Sequence, residues 1–152
     1  MTDRIAVGPA TPDLYRRLIE LHTATDQEAV AAGLDQRLLE LVRTRASQLN
    51  GCAFCVDMHT TALAKLGEPV RRVHALAVWR ESGFFDEKES AALELAESIT
   101  ELSVDHVPDE VYDEALHHFG AEQLPHLVWV ITVINAFNRL SVTSRNAPPP
   151  VS

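Results

Sequence analysis

Two cysteines constrain this chain more than anything else in it. Cys52 and Cys55 are the only two among 152 residues, and they form one Cys-x-x-Cys directly after the turn-forming pair Asn50-Gly51. The residues that follow read as a helix as far as Leu66, with Gly67 as its stop. Unpaired backbone N–H groups and the positive end of the dipole at a helix start favour a thiolate, which is the reactive form of cysteine. At about 100° per residue, Cys52, Cys55 and His59 fall within roughly 60° of one another on one face. Ala62, Leu63 and Leu66 continue that face, while Asp57, Thr61 and Lys65 line the opposite one. A cysteine and a histidine four apart are neighbours on a helix, so an imidazole stands beside the second thiol and both point to an apolar interior. A base next to a thiol in a partly desolvated site is the arrangement nucleophilic sulfur chemistry uses.

The rest of the chain reads as helices, which makes the expected fold all-α: a single domain of about six to seven helices. Residues 1–11 read as an extended, peripheral arm. Pro12 suits a first helical position, and Leu14, Leu18 and Leu21 mark a stripe on a helix ending near Gly33. A second helix, from about Asp35 to Asn50, has Leu38, Leu41, Val42, Ala46 and Leu49 on its apolar face. After the cysteine helix, Pro69 opens a fourth, with Val70, Val73, His74 and Ala77 on one side, until Ser82-Gly83-Phe84-Phe85 breaks it. Asp86 and Glu89 have the spacing of a capping box for the next helix. Pro108 starts another, with Asp109 and Glu110 in its first turn and His117 and His118 in its last, the charge order a helix dipole prefers. Gly120 ends it. The last helix, about Glu122 to Val142, is apolar nearly all round and is expected in the core or in a subunit contact. Asn135 and Asn138 within it require hydrogen-bond partners if buried. The core spans about residues 12–142, and residues 146–152 form a Pro-rich tail.

Composition narrows the function. A formal net charge of −9 argues against nucleic acid or an anionic membrane surface as a partner, since both demand a basic face. The most apolar stretch, Leu124 to Phe137, is shorter than the roughly 20 residues of a bilayer crossing. Met1 to Ala10 carries Asp3 and Arg4 and reads as no export signal, so the expected compartment is the cytoplasm. A Cys-x-x-Cys there is metal-binding or redox-active more often than a structural staple.

The segment Arg45 to His59, Arg-Ala-Ser-Gln-Leu-Asn-Gly-Cys-Ala-Phe-Cys-Val-Asp-Met-His, resembles the core motif of the AhpD-like alkylhydroperoxidase family, within the wider carboxymuconolactone decarboxylase superfamily. Glu40, eleven residues ahead of Cys52, completes a Glu-x11-Cys-x2-Cys-x3-His spacing. The likeness continues through Ala77-Val78-Trp79-Arg80-Glu81 and Ile134-Asn135-Ala136-Phe137-Asn138-Arg139-Leu140, covering roughly Tyr15 to Ser141. Well-studied members carry a second histidine between the cysteines, where this chain has Ala53 and Phe54.

The resemblance implies a thiol-dependent peroxidase whose catalytic residues are Cys55, Cys52, His59 and Glu40. Cys55 would attack the peroxide, Cys52 would close a disulfide on it, and His59 with Glu40 would relay the proton. By spacing alone the order of the two sulfurs stays open, because Cys52 lies nearer the helix start and Cys55 lies beside His59. Periodicity also gives Glu40 a different place: it projects nearly opposite Leu38, Val42 and Leu49, as a solvated partner of Arg43 at i, i+3. If the resemblance holds, another helix or a subunit must cover it. No cofactor or metal is implied beyond the cysteine pair. The implied partners are a hydroperoxide substrate, a dithiol reductant such as a dihydrolipoamide-type protein or a peroxiredoxin, and further copies of the chain as a trimer or hexamer.

Three other readings stay open. One is an enzyme of the wider superfamily whose decarboxylase-type chemistry does not use the cysteines. Another is a zinc-stabilised structural protein, with Cys52, Cys55, His59 and His74 as ligands. The third is a general disulfide reductase. Phe54, Met58, Trp79, Phe84 and Phe85 could line a pocket, with core packing the more ordinary duty.

Overall fold

A computed structural model describes residues 3–151 of the chain, and among them every regular element is a helix. Five carry the architecture: α2 (Pro12–Ala31), α3 (Gln36–Leu49), α4 (Ala53–Lys65), α7 (Glu87–Thr100) and α9 (Asp109–Ser144). Four are short: α1 (Val7–Ala10), α5 (Val70–Ala75), α6 (Trp79–Ser82) and α8 (Leu102–Asp105).

Helix α3 is the axis. It packs against α4, α7 and α9, while α9 also packs against α2 and α7. One core cluster joins α2, α3, α7 and α9 through Ala29, Leu39, Val42, Leu95, Leu127 and Ile131. A second joins α3, α4, α7 and the segment after α5 through Leu41, Leu63, Leu76, Trp79 and Leu93. Being covered on three sides, α3 buries polar residues together with its leucines: Glu40, Arg43, Thr44 and Ser47 are all inside.

Local chemistry sets the boundaries largely as the sequence suggests. Pro12 occupies the first turn of α2. The Asp86 carboxylate accepts from the Glu89 N–H at 2.8 Å, and Glu89 Oε2 accepts from the Asp86 N–H at 3.0 Å, completing the capping box. Gly120 (φ 63°, ψ 176°) breaks α9 into two helices. Such a positive φ is cheap for glycine and costly for a residue with a Cβ.

The structure corrects several expectations. The arm is not wholly extended: residues 7–10 form the turn of α1, tied to the end of α9 by Val7 N–H donating to Ser144 Oγ at 3.0 Å. Arg4 donates to the Thr143 carbonyl at 3.0 Å. On α2 the leucine stripe is not the packed face, since Leu14 is 68% exposed and Leu21 is also exposed. Instead the helix turns Tyr15, His22, Thr25 and Ala29 inward, and because several of these are polar, a hydrophobic stripe misreports the side. After Pro69 the helix gives way at Leu76–Val78 to a 3₁₀ turn. That tighter winding shifts the phase, so Leu76 and Trp79 go inside while Val70, His74 and Ala77 lie exposed.

The apolar run from Leu124 belongs to a helix of 36 residues whose most apolar window averages 1.3 in hydropathy, long and apolar enough by composition to cross a membrane. Its inner side, with Leu127, Val130, Ile131 and Ile134, is core. Its outer side is not fully covered: Trp129 is 53% exposed.

Candidate active site

The site starts at the turn between α3 and α4. Gly51 takes a left-handed φ of 64°, reversing the chain so that Cys52 becomes the N-cap of α4. Its sulfur accepts the Cys55 backbone N–H at 3.3 Å. A cysteine thus does what serine or aspartate usually does at a helix start. Cys52 and Cys55 are joined as a disulfide, with Cα atoms 5.3 Å apart, and both are buried.

The turn is clasped to α9. Asn50 Nδ2 donates to Oδ1 of both Asn135 and Asn138, each at 2.9 Å. Asn138 Nδ2 donates to Ser47 Oγ, and Asn135 Nδ2 to Thr100 Oγ1 and the Ile131 carbonyl. The two asparagines flagged by their apolar surroundings therefore hold the cysteine turn in register. Replacing Asn50 by Ala strands two acceptors and is expected to destabilise the protein by about 1–3 kcal/mol. A urea midpoint at the wild-type value would show that the clasp is dispensable.

Beyond Cys55, His59 lies one turn further along α4, buried, with Nδ1 2.8 Å from Glu40 Oε2. Glu40, 6% exposed, also accepts from Arg43 Nη1 at 2.8 Å. Burial alone pushes the Glu40 carboxyl up, but the His59 hydrogen bond and the His59 and Arg43 charges outweigh it and hold it below the usual glutamate range. Glu40 is thus a carboxylate at neutral pH, the proton sits on His59 Nδ1, and Nε2 is the basic nitrogen. Buried Nε2 has no hydrogen-bond partner among the described residues. The i, i+3 pairing of Glu40 with Arg43 is present, but solvation of Glu40 is not: α4 covers that side of α3 and supplies the imidazole.

Arg43, 1% exposed, extends the chain further, since its Nη2 donates to Asp26 Oδ1 on α2. Next to Asp26 stands His22, with Nε2 3.9 Å from Asp26 Oδ2. The order His59–Glu40–Arg43–Asp26–His22 runs through three helices.

Cys55, His59 and His22 all line one cavity of about 460 Å³, whose walls include Ile19, Phe54, Met58, Ile134, Phe137 and Leu140. Ala6, Gly8 and Pro9 of the arm and Ser144 and Asn146 of the far end form its rim. Cys52 is not on the wall. Of the aromatics considered as lining residues, Phe54 has that role, as does Met58; Trp79 and Phe85 pack in the second core cluster and Phe84 lies under the Arg71 guanidinium. A larger open trough of about 940 Å³ lies elsewhere, between α7 and the start of α9, bordered by Glu94, Glu101, Asp105, Glu110 and Glu114, with neither cysteine on it.

The four residues singled out by sequence spacing come together here. His74 does not join them, being exposed on α5. Among the described residues no group of three or more His, Cys, Asp or Glu side chains is placed to hold a metal ion. Sequence reasoning missed Asp26, Tyr15, Ile19, His22 and Phe137. A signal existed for most of them: Tyr15, Ile19, His22 and Asp26 recur at helical spacing on one side of α2. The Trp79-Arg80 pair has a structural duty: both donate to Glu97, at 2.8 and 2.6 Å, alongside Arg45 Nε at 2.7 Å, fixing the segment after α5 to α7.

An all-helical fold with a Cys-x-x-Cys disulfide at a helix start, backed by a buried His–Glu pair, defines the class. The carboxymuconolactone decarboxylase family model matches residues 12–98, and the chain belongs to that family. It is 37% identical over 146 residues to the uncharacterised protein YdfG of Bacillus subtilis (strain 168), covering 96% of this chain and 97% of that one. The uncharacterised protein YnjA of Escherichia coli (strain K12) is 34% identical over 110 residues, 71% of this chain and 59% of that one. Among solved structures, Agrobacterium tumefaciens ATU0492, a protein of unknown function provisionally placed with the antioxidant defence protein AhpD, superposes with a TM-score of 0.88. Its identity is 31%, with 99% of this chain and 100% of that one covered. The debrominase Bmp8 shares the fold at a TM-score of 0.81 and 20% identity, over 93% of this chain and 74% of that one.

Proposed function

We propose that this protein is a thiol-dependent peroxidase that reduces hydroperoxides through a Cys52–Cys55 cycle, in the service of antioxidant defence. One observation carries the reading: Cys55 and His59 open onto an apolar-walled cavity while Cys52, bonded to Cys55, stands off its wall. Substrate reaches Cys55 first, and Cys52 is placed to follow.

In the reduced protein, His59 Nε2 takes the Cys55 thiol proton, with Glu40 balancing the imidazolium. The Cys55 thiolate attacks the terminal peroxide oxygen, so an S–O bond forms and the O–O bond breaks. The departing alkoxide takes the Cys52 proton and leaves as alcohol. The Cys52 thiolate then attacks the Cys55 sulfenic acid; an S–S bond forms, and hydroxide leaves with the proton held by His59, as water. Two thiols are oxidised and one peroxide is reduced. An external dithiol reopens the disulfide by exchange, and a dihydrolipoamide-type protein or a peroxiredoxin fits that role. We place the protein in the cytoplasm and expect a homo-oligomer, trimer or hexamer, for which the outer face of α9 around Tyr112, Leu116, Pro125 and Trp129 is available.

The test is stoichiometric. Reduced protein mixed with cumene hydroperoxide is expected to lose two free thiols per chain, consume one equivalent of peroxide and gain an intramolecular disulfide. Peroxide that persists beside fully reduced thiols would remove the peroxidase reading. Disulfide exchange with small dithiols in the same preparation would leave a general reductase.

A further inference from the structure

The site has a second imidazole that the cycle above does not use. His22 reaches the cavity from α2, opposite in sequence and element to His59 on α4, and its ring stands edge-on to Phe137 with centroids 5.7 Å apart. Its side chain is about one-third exposed (32%). Among the described residues neither ring nitrogen makes a hydrogen bond, since the approach of Nε2 to Asp26 is 3.9 Å. Burial, then the Arg43 charge and that of His59, lower its pKa below the ordinary histidine value, against the opposing pull of Asp26 and Glu40. A neutral imidazole has one N–H to donate. The wall beside it is Ile19, Phe137 and Leu140, which can take an organic group but offers nothing to an oxygen.

We infer that His22 is a substrate-orienting residue: its imidazole N–H donates a hydrogen bond to the peroxide oxygen that bears the organic group, while the apolar wall holds the organic group itself. This rests on the peroxidase reading. The hydrogen bond turns the terminal oxygen toward Cys55 and presents the leaving oxygen in the polarity it needs as charge develops there. The ion-pair chain through Asp26, Arg43 and Glu40 fixes the spacing between His22 and His59, so the two rings act as opposite jaws of one site. An oxygen-bearing organic molecule is thereby preferred over a plain hydrocarbon of the same shape.

The experiment uses His22→Phe and His22→Gln in the full chain. Thiol loss on rapid mixing with cumene hydroperoxide is expected to slow about tenfold in His22→Phe, the worth of one hydrogen bond to substrate. In His22→Gln, which keeps a neutral donor, it stays within about twofold on the same argument. Disulfide closure driven by diamide, which needs no oriented peroxide, remains at the wild-type rate in both. In the oxidised wild-type protein, cumyl alcohol is expected to shift the His22 imidazole proton resonances, assigned by their loss in His22→Gln. Equal slowing in both variants, an undiminished rate in His22→Phe, or a His22 signal unmoved at saturating alcohol would each overturn the inference. If the wild type itself ignores hydroperoxide, the peroxidase reading falls, and the alcohol titration alone decides whether His22 holds an oxygen ligand.

Discussion

Replacing Cys55 by Ser is expected to abolish hydroperoxide turnover, a loss of about a thousandfold or more, as when the nucleophile of a cooperating group is removed. The hydroxyl is isosteric and leaves α4 intact, so circular dichroism and the thermal midpoint serve as controls. Cys52→Ser gives the complementary result. It keeps Cys55 on the cavity wall, so one equivalent of peroxide is consumed slowly, and the cycle halts at a sulfenic acid that dimedone traps. The difference between the two variants follows from position, since only Cys55 lines the cavity. Full activity in the double Cys→Ser protein would point to superfamily chemistry that does not use sulfur.

Arg43→Ala is expected to cost about 3–5 kcal/mol of stability, the loss associated with removing one partner of a buried ion pair. Arg43 is the sole charge shared by Glu40 and Asp26, and its guanidinium is among the most buried large groups in the protein. Without it Glu40 keeps only His59 as a counter-charge. Arg43→Lys restores the charge but not the fork that reaches two carboxylates at once, so it recovers part of the loss. Urea unfolding of the three proteins provides the measurement, and a shift below about 1 kcal/mol for Arg43→Ala would place the pair at the value of a surface bridge.

Much of this fold is legible because its punctuation is strong. Pro12, Asn50-Gly51, Gly67, the Asp86/Glu89 box and Gly120 each act through local backbone chemistry, and each stands at an element boundary or kink. Faces are harder to read than boundaries. Leu14 and Leu21 are exposed while His22 and Asp26 turn inward, because the inner side of α2 carries site residues and not only core. The stretch after Pro69 goes astray for another reason: three residues of 3₁₀ winding rotate everything beyond them. Glu40 is the instructive case. Its spacing from the cysteines marks it, its helix periodicity disowns it, and the conflict resolves only when α4 is seen to lie across that side of α3. Periodicity describes how one helix meets one neighbour, and α3 has three.

The clasp between Arg4 and Thr143, and between Val7 and Ser144, brings both ends of the chain to the same doorway. Anything fused to either end therefore emerges beside the opening through which a substrate must pass. For whoever prepares this protein, the position of an affinity tag is a decision about entry as much as about purification.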